Sequence, residues 1–287
     1  MYQYKKTDLP KNVAEILVDI KKETIEEEYK KAFEAVRANT TIAGFRTGKA
    51  PQDVAQKHIA KDKVYQQMIR TILPKIYEEI VKKESLMPII DPKIEMIKAK
   101  ENEDWQIKIT VAGKPKIELN NYQEAIKEYK NKSKKEDIWV PGKDQKPVDK
   151  NQNQQKNLNE ILSVLLKQTK VEIADVIIDE EINRRLTKLV DDIQKLGLTV
   201  DSYLKSKNLT LDQLKETYKR EIEDTYKLEF VLSEIADKEQ IKVEKADLDK
   251  LFVNIKDDKE RKLAEQNSYF YASVLRKQKT IDFLLAL

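Results

Sequence analysis

The sequence contains no cysteine, one histidine and only five glycines in 287 residues. Without cysteine there is no disulfide, no thiolate nucleophile and no Cys-based zinc site, and a reducing cytosol is the natural compartment. A single histidine excludes multi-His metal sites. A His-based triad would have to use His58, in Asp53-Val-Ala-Gln-Lys-His-Ile59. That stretch looks helical and has no nucleophile motif nearby, so His58 reads as a plain surface or half-buried side chain. Long apolar runs are also missing. The longest is Phe283-Leu-Leu-Ala-Leu287, against about 20 residues for a membrane-spanning helix. Met1-Tyr-Gln-Tyr-Lys-Lys6 leads into no apolar core, so no signal peptide is expected. Neither sign of charge dominates: 55 Lys and Arg face 51 Asp and Glu, a net charge of +4. A strongly basic nucleic-acid binder is thereby excluded at the level of the chain.

What is present is enough for folded cores, because 40% of the residues are apolar. The length allows roughly two domains. All eight prolines fall at or before Pro147, and Gly197 is the one glycine in the last 140 residues. The first part reads as α+β. Val13–Ile20 is short and rich in branched residues, which favours a strand. A helix is expected from Thr24, its N-cap, with Ile25, Tyr29, Ala32, Phe33 and Val36 at helical spacing. A second begins at Pro51. A third spans Lys61–Glu84, with Val64, Met68, Ile72, Ile76 and Ile80 four apart and a kink at Pro74. Ile89–Ile97 and the alternating Trp105–Val111 read as closing strands. This domain covers residues 1–112.

Residues 113–152 read as a linker. Order is expected to fail between Lys130 and Asn157, where the chain is polar and without apolar periodicity. Ile138-Trp139-Val140 interrupts that stretch, either as a tether docking on a neighbouring surface or as a short motif for a partner. Residues 153–287 read as a helical domain. Leu158, Ile161, Leu162, Leu165 and Leu166 form an apolar stripe. A helix over Ile178–Lys195 stops at Gly197. Thr199 caps a short helix, and Thr210-Leu-Asp-Gln213 fits a capping box opening a helix to Lys238. Two more are expected over Lys245–Ile255 and Lys259–Leu285. Arms of unequal length suit an extended domain rather than one rounded bundle.

Two of the five glycines bracket Gly44-Phe-Arg-Thr-Gly-Lys-Ala-Pro51. Glycines permit a tight loop, and the segment presents Phe45 and Arg46. Phe can fill a pocket, and Arg can fork onto phosphate or carboxylate. The ordinary alternative is a helix–helix connection with Phe45 in the core. A phosphate-binding P-loop does not fit, because three residues rather than four separate the glycines and Ala50 replaces the hydroxyl.

The same eight residues resemble the ribosome-binding signature of trigger factor, Gly-Phe-Arg-x-Gly-(Lys or Arg)-x-Pro. Lys114-Pro-Lys-Ile-Glu-Leu119 resembles that family's entry to its linker, and Thr169–Ile182 the opening of its helical domain. Gly197–Leu204 and Leu209–Leu214 resemble the paired segments that follow. The resemblance implies an α+β ribosome-binding domain followed by an extended all-α chaperone domain. It implies that Gly44, Phe45, Arg46, Thr47, Gly48 and Lys49 dock on the large ribosomal subunit, against the tunnel-exit protein and adjacent rRNA. The helical domain would hold nascent or unfolded polypeptides without ATP and without a cofactor, in the cytoplasm and away from membranes. Phe252, Tyr269, Phe270 and Tyr271 are the candidate client contacts, with a buried core role as the alternative favoured for most of them, and a homodimer is compatible with this reading. Lys130–Asn157 is too short for the family's FKBP-like prolyl isomerase module, so isomerase activity is expected to be absent. The family often carries Lys where Thr47 stands. The rival readings are a ribosome-independent holdase and an RNA-binding module using the Gly44–Pro51 loop. Against RNA as the main partner, residues 1–112 carry a net charge of only +3, and residues 153–287 carry −2.

Overall fold

The computed structural model of the protein describes residues 2–136, 150–255 and 257–287. The chain divides into two compact units, Met1–Lys114 and Pro115–Leu287.

The first unit is a four-stranded antiparallel sheet with helices on one face. Its strands are β1 (Tyr2–Leu9), β2 (Val13–Ile20), β3 (Lys93–Lys98) and β4 (Trp105–Ala112), in the order β1-β2-β4-β3. β1 adds a strand that sequence reading did not anticipate. It is built on period-two alternation, and Tyr2 and Tyr4 donate their hydroxyls to Glu79 (2.8 Å) and Glu84 (2.6 Å). Three helices follow β2: α1 (Lys22–Ala38), α2 (Gln52–His58) and α3 (Lys61–Lys83). Alternation along β2 and β4 sends Ile16, Val18, Ile20, Ile107 and Ile109 to one face. Phe33 and Val36 of α1 and Met68, Ile72, Ile76 and Ile80 of α3 join them in one buried core. α3 runs unbroken through Pro74. Thr24 is not the cap of α1. The helix starts two residues earlier, and Asp104 supplies the cap from across the unit by accepting from the Lys22 backbone N–H (2.9 Å). The same carboxylate takes the Lys21 ammonium at 2.8 Å, and that bond leads the causes that hold its pKa below the ordinary value. His58 lies exposed on α2.

The second unit is helical apart from a clasp of two short strands, β5 (Ile117–Glu118) and β6 (Lys170–Val171). Its helices are α4 (Tyr122–Glu136), α5 (Lys150–Gln168), α6 (Asp175–Lys195), α7 (Val200–Ser206), α8 (Leu211–Lys238), α9 (Lys245–Val253), α10 (Asp258–Gln266) and α11 (Ser268–Ala286). The linker expectation is therefore corrected. The clasp closes the α4–α5 pair, and Leu119, Tyr122 and Ile126 enter a core with Ile161, Leu165, Val231, Leu232, Ile235 and Leu284. Lys130–Glu136 and Lys150–Asn157 are helical rather than disordered. Their polar composition hid helices that need only one apolar stripe to dock. Ile138-Trp139-Val140 lies outside the described residues. The caps at Thr199 and Thr210 form as expected, the latter as a full capping box with Gln213. The helix expected over Lys259–Leu285 is two helices, α10 and α11. They meet at Asn267, whose side-chain amide donates to the Leu263 carbonyl at 2.9 Å. α8 has 28 residues, a span of about 42 Å.

Tyr122 is the most informative core residue of this unit. Its ring is fully buried, and its hydroxyl donates to Glu239 Oε1 at 2.7 Å. Gln123 donates to the same oxygen at 3.0 Å. Burial, and then the bond to Glu239, push the phenol up to about 12 from 10.0. A proton held more tightly in the folded state stabilises it below the unfolded pKa, and that contribution disappears as pH rises through the folded one. At neutral pH, denaturant melts should find wild type more stable than Tyr122→Phe by about 1 kcal/mol. The gap should close between pH 10 and 12. A gap that persists at pH 12 would contradict this assignment.

Candidate functional site

The Gly44–Pro51 segment connects α1 to α2. Two buried side chains, Ile42 and Ala50, pin its ends into the core of the first unit. Between them Ala43, Gly44, Phe45, Arg46 and Thr47 are exposed. The α1 terminus is closed locally: the Thr40 N–H donates to the Arg37 carbonyl (3.1 Å), and the Thr40 hydroxyl to that of Val36 (2.7 Å). Two consecutive turns follow. The Phe45 N–H donates to Ile42 O (3.0 Å) and the Lys49 N–H to Arg46 O (2.9 Å). The bracketing glycines have different reasons to be there. Gly44 has a φ of 85° in open space, so conformation alone requires it. Gly48 has a φ of 74°, and a Cβ there would meet the Ala38 carbonyl oxygen at 2.6 Å. The loop therefore folds back onto the end of α1 in a way that no other residue allows.

Phe45 does not take the core position of an ordinary helix–helix connection. Its side chain is 39% exposed and absent from the core cluster. Arg46 and Lys49 stand beside it, exposed, and among the described residues neither forms an ion pair. An aromatic ring and two cations thus share one exposed loop of a rigid unit. That arrangement can insert into a pocket and hold anionic groups around it.

In the second unit the candidate client residues separate. Phe252 is 6% exposed and packs edge-on against Tyr271, with ring centroids 5.5 Å apart. Phe252 therefore takes the core role, in the α9–α11 packing, which corrects its place among the candidate contacts. Tyr271 is half-buried between Phe252 and Phe270. Tyr269 is 89% exposed, and Phe270 is exposed as well. Val253, Leu263 and Val274 extend the exposed apolar surface of the same helices. A second set escaped sequence reading altogether. Leu196, Leu198, Leu209 and Leu211 are all exposed, Leu196 by 73%. Leu196, Leu198 and Leu209 occupy the turns joining α6, α7 and α8, and Leu211 is the first residue of α8. Arg185–Glu221 (3.1 Å) and Tyr226–Glu181 (3.5 Å) run α6 and α8 antiparallel, which brings both turns to one end of the pair. The available signal was leucine in loop positions beside Gly197 and Thr210, off any helical stripe. Among the described residues no cluster of His, Asp and Glu could hold a metal ion, and no helix is long and apolar enough to cross a membrane.

Comparison with known proteins agrees with this anatomy. A family model described as bacterial trigger factor protein matches residues 2–139, and the model for the trigger factor C-terminus matches residues 145–286. The trigger factor of Lactococcus lactis subsp. cremoris is 28% identical over 175 residues, which are 61% of this chain and 38% of that protein. The trigger factor of Lactiplantibacillus plantarum is 30% identical over 113 residues, 39% of this chain and 26% of that protein. The chain thus spans well under half the length of these curated relatives. A solved chain from work on "promiscuous substrate recognition in folding and assembly activities of the trigger factor chaperone" superposes with a TM-score of 0.63. It is 13% identical, with 99% of both chains covered, a likeness of fold. Matched from residue 2 to residue 286 apart from residues 140–144, this chain belongs to the bacterial trigger factor family.

Proposed function

We propose that the protein is a molecular chaperone that docks on the large ribosomal subunit through Phe45 and Arg46. Its second unit holds nascent or unfolded polypeptide on exposed apolar surface, without ATP. The observation that carries this reading is Phe45, an aromatic side chain left exposed on a loop whose two flanking anchors are buried. Family membership supports it, and so do the exposed cations Arg46 and Lys49 beside Phe45. Client holding is supported by two sets of exposed apolar side chains, Tyr269 with Phe270 and the four leucines at the α6–α7–α8 end. Exposed apolar side chains on a helical scaffold can hold many sequences weakly. A cytoplasmic location goes with this reading. Because residues 140–144 alone separate the two family matches, the reading includes no prolyl isomerase module.

Three measurements test these statements. In co-sedimentation with 70S ribosomes, Phe45→Ala should bind more weakly by about 1–3 kcal/mol, and Phe45→Ala/Arg46→Ala/Thr47→Ala should not pellet at all. Both variants should melt like wild type, and undiminished pelleting would end the docking reading. Affinity for naked rRNA that matches the ribosome and falls steeply with salt would favour the RNA-binding alternative instead.

For client holding, the full chain should slow aggregation of a denatured test protein equally with and without ATP. Tyr269→Ser/Phe270→Ser should do so less well, with its fold intact because both side chains are exposed. Equal protection by the variant would remove these residues from the client surface. In a protease-coupled peptide assay, the protein should leave prolyl isomerisation at its uncatalysed pace of tens of seconds or longer. Any acceleration would refute that part of the reading.

A further inference from the structure

The docking loop is closed by two rungs. The first is backbone: the Gly48 N–H donates to Thr40 O at 3.3 Å, the long end of the range for such a bond. The second joins two side chains, with Thr41 Oγ1 and Thr47 Oγ1 2.9 Å apart. Two turn bonds also hold the apex, from Phe45 N–H to Ile42 O and from Lys49 N–H to Arg46 O. Gly44 stands in open space with no neighbour within 4 Å of where a Cβ would be. Beyond these local turns, the two arms of the loop are joined by one long backbone rung and one shorter hydroxyl rung.

We infer that Thr41 and Thr47 are positioning residues, whose mutual hydrogen bond holds the loop in its docking shape. This inference rests on the docking reading above and changes the role of Thr47 within it, from a ribosome contact to a brace. The physical reason is preorganisation. A loop that must be ordered on binding loses part of its interaction energy to that ordering, and a loop already closed does not. Both hydroxyls are exposed, so water replaces the bond when the unit unfolds. The brace accordingly bears on the shape of the loop and not on the stability of the unit. Thr41, one residue before the buried Ile42, stays beneath the apex and is not itself required to touch the partner.

The test uses the full chain with Thr41→Val, Thr47→Val, the double variant and Thr47→Ser, with Phe45→Ala as the control. Valine matches threonine in shape and lacks the hydroxyl. In ribosome co-sedimentation each single valine variant should bind roughly three- to tenfold more weakly, on the scale of one exposed hydrogen bond. The double variant should be no weaker than either single one, Thr47→Ser should bind like wild type, and all melting temperatures should match. Without ribosomes, amide exchange at Phe45, Gly48 and Lys49 should quicken in Thr41→Val and in Thr47→Val alike. Loss of binding in Thr47→Val with Thr41→Val unaffected would make Thr47 a direct contact and overturn the inference. Additive losses, or exchange rates unchanged by either valine, would overturn it as well. If Phe45→Ala binds like wild type, the docking reading fails, and the exchange data still decide whether the hydroxyl pair shapes the loop.

Discussion

Burial of one face of the β1-β2-β4-β3 sheet under α1 and α3 is the contact on which the first unit depends. The sheet offers Ile16, Val18, Ile20, Ile107 and Ile109 on that face, and the helices answer with Phe33, Val36, Met68, Ile72, Ile76 and Ile80. Each such side chain contributes about 1.5–3 kcal/mol when removed from water. With α1 and α3 committed to the sheet, the chain between them must cross from one helix to the other at their ends. Ile42 and Ala50 are drawn into the same core, and Ala43 to Thr47 between them are left outside. The exposed Phe45 is thus a consequence of where its neighbours are buried. Gly48 adds a steric condition, since its close approach to the Ala38 carbonyl admits no side chain.

The second unit solves a different problem. Its central core joins α4, α5 and the C-terminal parts of α8 and α11, with Tyr122 tied to Glu239 across it. α6 and the N-terminal part of α8 pair beyond that core, through Ile177, Ile178, Ile182, Leu214 and Ile222. A pair of helices has fewer neighbours to offer than a closed bundle, so the turns at its end keep their leucines in solvent. The exposed surface is aliphatic at those turns and aromatic on α11. Abundant lysine and glutamate around both keep such surface in solution. Open apolar side chains on helices that are otherwise well packed are what a weak, reversible and unselective holder of unfolded chains requires.

Much of this architecture could be read from local chemistry. Branched residues announced β2, period-two alternation announced β4, and i, i+4 spacing announced α3. Hydroxyl caps placed the starts of α7 and α8, because a cap is a contact between residues three apart and involves no distant partner. The departures share one cause. α1 is capped by Asp104, more than 80 positions away. β1 is recruited by β2, and α4 docks through Leu119, Tyr122 and Ile126 in a stretch whose composition reads as linker. Asn267 divides α10 from α11 without a glycine or proline to mark the place.

At the candidate site the same boundary applies. The sequence by itself determined that a glycine-bracketed Phe-Arg pair would join two helices, because glycine spacing and residue type are local properties. It likewise determined the absence of any cysteine thiol or multi-His site. Whether Phe45 faced solvent or the core, and that Phe252 is buried while Tyr269 is open, was decided by tertiary packing alone. The hydroxyl pair of Thr41 and Thr47 also belongs to the folded loop. Burial and cross-loop bonds depend on which surfaces meet, and residue type does not specify that until distant segments have taken their places.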